Sequence, residues 1–129
     1  KEDIREEEDI NCCRKLGIEY TTDVPIHFTI FNSLYHDKIY MLPSMESLHP
    51  EHKAVTGYFN FLRMQQKKYF SEKIDFGYYS TDMKESFVKN LPTSLSKKKK
   101  KWLDKFYPSQ KKLWENDAKY YLFEGEGQL

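Results

Sequence analysis

The sequence predicts a mainly α chain: several short-to-medium helices joined by extended, partly irregular segments, without a large independent core. Three observations carry that expectation. Apolar residues recur at three- and four-residue spacing over 50–73, 97–107 and 109–122, with proline or glycine at the joints. Leu, Ile, Val and Phe together number 30, about 23% of 129 residues, just above the roughly 20% below which disorder becomes the default. Charged residues make up 32%, mean hydropathy is −0.83, and 16% of the chain is aromatic. Aromatic rings bury large areas and are enriched where proteins meet. They are therefore expected to stand in for aliphatic material and to finish the structure against a partner.

Three segments follow one another: an acidic N-terminal helix and linker over 1–23, an extended segment with the main amphipathic helix and a short helix over 24–92, and a basic, aromatic helical segment with a flexible tail over 93–129. The first helix, 2–16, has only Ile4, Ile10, Cys13 and Leu16 on its apolar side. That face is too narrow to stand alone in water. Gly17 supplies its stop.

Over 24–30, Val24, Ile26, Phe28 and Ile30 alternate with Pro25, His27 and Thr29, which is strand periodicity. Pro25 confines such a strand to a start or an edge. Ile39-Tyr40-Met41-Leu42 is a second apolar run, ended by Pro43. The whole of 18–44 reads as extended chain.

The main helix spans 50–73. Pro50 suits its first turn, and Ser47 or His49 lies just before it. Val55, Phe59, Leu62 and Tyr69, with Tyr58 and Phe61, form an apolar stripe, while Arg63, Gln66, Lys67 and Lys73 fall on other faces. Gly57 costs this helix roughly 1 kcal/mol against Ala, which points to a close packing contact there.

Residues 75–80 read as a loop. Asp82 with Glu85 resembles a capping box that opens a short helix carrying Met83, Phe87 and Leu91 before Pro92. Ser96 is the expected cap of helix 97–107, with Trp102, Leu103 and Phe106 inward and the lysines outward. Pro108 starts the last helix, 109–122, which bears Leu113, Trp114, Ala118, Tyr121 and Leu122. The tail 124–129 is expected to be flexible.

The net charge of +1 conceals an asymmetry. Residues 1–23 hold eight acids against four bases, and residues 97–112 hold eight lysines against the single acid Asp104. Two ends of opposite charge point to two different neighbours, or to one end folding back on the other; two solvated faces are the plainer reading.

Chemistry-bearing patterns are sparse. Cys12 and Cys13 are adjacent, so they do not pair with each other, and two thiols without a framework point to a reducing compartment. They lie near the C-terminal end of their helix, where the dipole and Glu6 to Asp9 disfavour a thiolate. His49 and His52 stand three apart, but Pro50 sets His49 at or before the helix start, and no further pair has metal-ligand spacing. No cofactor or metal is expected. No nucleophile elbow, Walker loop or dinucleotide fingerprint occurs, and the acids of 2–9 read as a solvated face. No catalytic residue or small-molecule substrate is assigned; a small stand-alone enzyme is the third reading of function. No apolar run reaches the roughly 20 residues of a membrane span, so no membrane partner is expected.

Lys97 to Lys101 run directly into Trp102-Leu103 and Phe106-Tyr107. A basic run fused to aromatic residues is a docking surface for something acidic. With Lys105, Lys111, Lys112 and Trp114 it offers phosphate neutralisation and stacking, so a nucleic-acid-bound scaffold such as a cytoplasmic or mitochondrial ribosomal protein, bound to rRNA, is the alternative reading. Only three arginines and a near-neutral net charge weigh against it.

The stretch Asp75-Phe76-Gly77-Tyr78-Tyr79-Ser80-Thr81-Asp82-Met83-Lys84-Glu85-Ser86-Phe87 resembles the short Tyr/Gly/Ser/Thr stretches of the small microtubule inner proteins of ciliary and flagellar doublets. That resemblance implies a non-enzymatic structural subunit in the axoneme of a cilium or flagellum, wedged among tubulin and neighbouring axonemal proteins. By it Phe76, Tyr78, Tyr79 and Phe87 are buried anchors in the partner. With Lys97, Lys98, Lys99, Lys100, Lys101, Trp102, Phe106 and Trp114 they make up the expected partner-binding set.

Overall fold

The computed structural model describes residues 2–24, 26–27, 32–71, 73–80, 83 and 87–127. Helix takes up 55% of the described residues, in five α-helices, and the short strands gather in small sheets, none of them closed. No helix among the described residues is long and apolar enough to cross a membrane. The chain forms two compact units, residues 1–23 with 89–124 and residues 24–88 with 125–129.

In the first unit, α1 (Glu2–Leu16) stops at Gly17, whose φ of +72° a residue with a side chain rarely adopts. The Gly17 N–H donates to the Arg14 carbonyl and the Ile18 N–H to the Cys13 carbonyl, the paired bonds of a Schellman stop. The next helix of this unit, α3 (Thr93–Phe106), starts one turn earlier than expected. Pro92 is its N-cap, and its carbonyl accepts from the N–H groups of Leu95 and Ser96. Ser96 is therefore no cap. It sits buried inside the helix and donates its hydroxyl to the Thr93 carbonyl.

Beyond Tyr107, Pro108–Gln110 form a 3-10 turn, followed by α4 (Lys111–Asn116) and α5 (Lys119–Leu122). The single helix expected over 109–122 breaks at Asp117, whose backbone is extended (φ −147°, ψ 107°). Two short antiparallel strands, β5 (Lys89–Asn90) and β6 (Phe123–Glu124), pair Lys89 with Glu124 and Asn90 with Phe123.

The second unit is built around a β–α–β crossover. After a two-residue antiparallel pair, β1 (Ile26–His27) with β2 (Ser33–Leu34), come β3 (Ile39–Pro43), α2 (Pro50–Phe70) and β4 (Asp75–Tyr79). Strands β3 and β4 are parallel, Ile39 opposite Asp75 through Pro43 opposite Tyr79. Parallel strands need a long connection, which is most often a helix. Residues 75–79 are thus the central strand of a three-stranded sheet, not a loop. The other flank is β7 (Glu126–Gly127), so the tail expected to be flexible carries the third strand, after Phe123–Glu124 has paired in the first unit.

Gly125, between those two strands, passes too close to its surroundings for any side chain: an added Cβ would lie 2.7 Å from the Ser80 Cβ and 2.9 Å from a Val88 methyl. Asp82 and Glu85 lie outside the described residues, as do Pro25 and 28–31. No helix spans 87–91, where Lys89 and Asn90 are extended, and Met83 has a φ of +59° that a helix does not use. The Ser80 hydroxyl accepts from the Met83 N–H instead.

Rings fill the core of this unit. Leu34, Tyr40, Leu42, Phe59, Leu62, Ile74, Phe76 and Tyr78 form one buried cluster, with Ile26 packed on it. Tyr40 lies 5.8 Å from Phe59 and 6.1 Å from Phe76, centre to centre and inclined, the arrangement aromatic pairs prefer. Its hydroxyl accepts from the Tyr35 N–H at 2.8 Å.

The buried side of α2 is Thr56, Phe59, Leu62 and Gln66. Phe59 and Leu62 were expected there. Gln66 was expected outside, yet its amide accepts from the Leu34 N–H and donates to the Leu34 carbonyl, each at 2.7 Å. Those two bonds satisfy a fully buried backbone unit that β1 and β2 leave unpaired on that side. Thr56 likewise donates to the Pro43 carbonyl at 2.6 Å. Val55, Tyr58, Phe61 and Tyr69, expected in the buried stripe, are exposed. Gly57 meets nothing within 4 Å where a Cβ would stand, so no close contact within the chain accounts for it. At the start of α2 the cap is His49, whose Nδ1 accepts from the Glu51 N–H, while the Ser47 hydroxyl accepts from the His49 N–H.

Replacing Gln66 with Leu leaves the Leu34 N–H and carbonyl buried without these partners. The expected cost is about 2 to 4 kcal/mol, read as a lower urea midpoint at unchanged m-value. His49→Ala removes only a cap, at about 1 kcal/mol.

Candidate interaction surface

The acidic N-terminal segment folds back within the first unit, and it does so through hydrogen bonds to neutral groups. The Glu8 carboxylate, buried, accepts from the Ser109 N–H at 2.9 Å and from the Ser109 hydroxyl. Asp9 accepts from the Tyr107 hydroxyl at 3.0 Å. Arg5 donates to the Gln110 side chain at 3.1 Å. The buried Cys12 sulfur accepts from the Trp102 indole N–H at 3.3 Å, and Trp102 in turn packs on Phe106 with centres 4.6 Å apart. Both cysteines are free thiols. Burial, followed by the bonds to Cys12 and Asp9, pushes the Tyr107 phenol well above its ordinary value of 10.0 and keeps it a donor.

None of these α1 acids forms an ion pair with a lysine of α3 among the described residues. The lysines divide by their position around the helix. Lys99 lies on the inward side and reaches out to the Phe123 carbonyl at 3.1 Å and to Glu124 at 2.9 Å. Lys100 pairs with Asp104 at 3.3 Å. Lys97, Lys101 and Lys105 recur every fourth residue, roughly 40° apart, with Lys98 beside them. These four are exposed, and the Lys105 ammonium lies over its own neighbour, the Phe106 ring. Two like-charge pairs four residues apart weaken a helix by about 0.2 to 0.5 kcal/mol each. The stripe therefore works against the helix that carries it.

The aromatic members of the expected set have other duties. Trp102 and Phe106 are half-buried against α1 and each other. Trp114, 5% exposed, donates its indole N–H to Asp104 at 2.8 Å and fixes α4 to α3. That bond, and after it the neighbouring Lys100, holds the Asp104 carboxyl below its ordinary value of 3.8.

Phe76 and Tyr78 are each 4% exposed, inside the core of the second unit, and the Arg63 guanidinium lies 4.1 Å above the Phe76 ring. Phe87 is half-buried, its ring 3.2 Å from where a Gly125 side chain would begin. Tyr79 alone of these four is exposed. The chain thus supplies its own pockets for Phe76, Tyr78 and Trp114, and the solvent-facing members of the set are Lys97, Lys98, Lys100, Lys101 and Tyr79.

His49 and His52 stack with centres 4.5 Å apart, and the His52 Nδ1 lies 3.2 Å from the Ser47 hydroxyl. Among the described residues no group of three or more His, Cys, Asp and Glu side chains is arranged to hold a metal ion. Comparison with protein-family models, with curated proteins and with solved structures finds no match.

Two pH responses follow from the directions of these shifts. Asp104 is depressed in the folded chain, so its contribution is present above pH 3.8 and lost as the pH falls through the folded value. Tryptophan emission is expected to report loosening of Trp114 in that acid range, and Asp104→Asn, which keeps an acceptor but no charge, to flatten it. Tyr107 is raised, so its contribution is complete below pH 10.0 and falls above it. Tyr107→Phe is expected to cost about 1 kcal/mol at neutral pH and to remove that alkaline loss.

Proposed function

We propose that this chain is a non-enzymatic subunit of a large assembly, attached to an acidic protein surface through the lysine stripe of α3. One observation carries this reading. Lys97, Lys98, Lys101 and Lys105 form a single exposed face on a helix they destabilise, and the acidic helix docked on that same helix leaves their charge unneutralised. A stripe that is unfavourable within the chain is relieved by an acidic partner, and charge matching of this kind sets orientation and association rate.

The acidic surface of tubulin fits that chemistry. The likeness of residues 75–87 to small microtubule inner proteins makes the doublet microtubules of a cilium or flagellum the first assembly to test. In this reading the rings take a supporting role. Trp102, Phe106 and Trp114 hold the lysine helix in place, and Tyr79 is the exposed ring available to a neighbour.

A phosphate backbone would also attract the stripe. Recognition of single-stranded RNA, however, uses open ring faces beside the basic track, and the rings next to these lysines are turned into the chain. That difference favours a protein surface.

The expected result is co-sedimentation of the chain with polymerised tubulin, weakening as salt rises. Replacing Lys97, Lys98, Lys101 and Lys105 with Gln lowers the affinity at least about tenfold while the far-ultraviolet spectrum stays unchanged. Absence of binding to microtubules, with salt-sensitive binding to RNA in its place, overturns the proposal.

A further inference from the structure

Helix α2 carries a second face that the core of its own unit leaves uncovered. Ala54, Tyr58, Phe61, Gln65 and Lys68 follow one another at spacings of four, three, four and three, the seam by which one helix packs along another. Phe61 is 54% exposed at its centre, Met64 70% exposed beside it, and Tyr58 nearly half exposed. From Ala54 to Lys68 the face runs roughly 21 Å.

Gly57 belongs to this face. It weakens the helix by roughly 1 kcal/mol against Ala, it has no left-handed backbone to justify it, and among the described residues nothing outside its own helix backbone and chain neighbours comes within 4 Å of where its Cβ would be. Nothing among the described residues therefore asks for glycine at this position.

We infer that this face of α2 packs antiparallel against α2 of a second copy of the chain, about a two-fold axis at Phe61. The residues are complementary to themselves under that operation. Phe61 meets Phe61 of the second copy, and Tyr58 comes opposite Gln65 of the second copy. Met64 of each copy enters the space over Gly57 of the other, which accounts for both the most exposed apolar side chain of the helix and its glycine. Charge fixes the direction. The seam has its acid, Glu51, in the first turn and its base, Lys68, in the last. An antiparallel pair brings each Glu51 within about one turn of Lys68 of the other copy, twice over, whereas a parallel pair sets like charge beside like. The seam is independent of the lysine stripe of α3 and of the partner proposed for it.

Sedimentation velocity of the full chain over a range of concentrations tests this. A mass rising from 15.6 kDa to twice that value is expected. Phe61→Glu raises the dissociation constant by roughly 30-fold or more with an unchanged circular dichroism spectrum. Gly57→Ala separates the two roles of that position: it raises the thermal midpoint of the dilute monomer and weakens association. Glu51→Lys and Lys68→Glu each weaken association, and the double variant restores it. A wild-type chain that remains at 15.6 kDa at its highest soluble concentration overturns the inference. So does a pair that survives Phe61→Glu, or a charge-swapped double variant no better than the singles.

Discussion

The Gln66 carboxamide carries both backbone groups of Leu34 into the interior, and the second unit is organised around that clamp. Among the described residues the pair β1–β2 spans two residues in each strand, and an isolated two-stranded pair is marginal by itself. What holds Leu34 against Phe59 and Leu62 is a side chain of α2 that imitates the edge of a neighbouring strand. Once it is engaged, Tyr40 can use its hydroxyl on Tyr35 and its ring on Phe59 and Phe76. A chain poor in aliphatic residues closes a core in this way, with rings for volume and with amides and hydroxyls to satisfy the backbone they displace from water.

The first unit solves the same shortage differently. Its acids work as acceptors for an N–H and hydroxyls, and its one buried thiol accepts from an indole. Segments of opposite net charge lie in the same unit, but the close contacts are charge-assisted hydrogen bonds from neutral donors to the α1 carboxylates. Lys97, Lys98, Lys101 and Lys105 are consequently left without an ion pair among the described residues. Their exposure follows from how α1 docks, and it gives α3 a face with one sign of charge.

How much of this the sequence discloses depends on whether the determining contacts are local. The end of α1 at Gly17 and the start of α2 at Pro50 are legible because a positive φ or a fixed φ is a property of the residue itself. The outward lysines of α3 are legible for the same reason, since their spacing alone sets the face. Strand β4 is not: Asp75-Phe-Gly-Tyr-Tyr has too few β-branched residues to announce itself, and it becomes a strand because β3 returns beside it through α2. Gln66 defeats a reading by polarity, since its burial is set by a backbone unit 32 residues away. Phe76 and Tyr78 show the limit of reading aromatic residues as anchors. A ring rich enough in area to fill a partner's pocket fills the chain's own just as well, and only the arrangement of strands decides which.

The path of the chain between Glu124 and Glu126 has a consequence for biosynthesis. Pairing of Tyr78 with Gly127 and of Tyr79 with Glu126 puts the last flank of the sheet at residues that leave the ribosome after all the rest of that unit. Residues 24–88 can therefore begin to collapse during translation, but their central strand waits one edge short until the first unit has also emerged. The two units, interleaved along the polypeptide, are obliged to mature together, and a chain halted before Gly125 would expose the bare flank of β4 to whatever strand it met first.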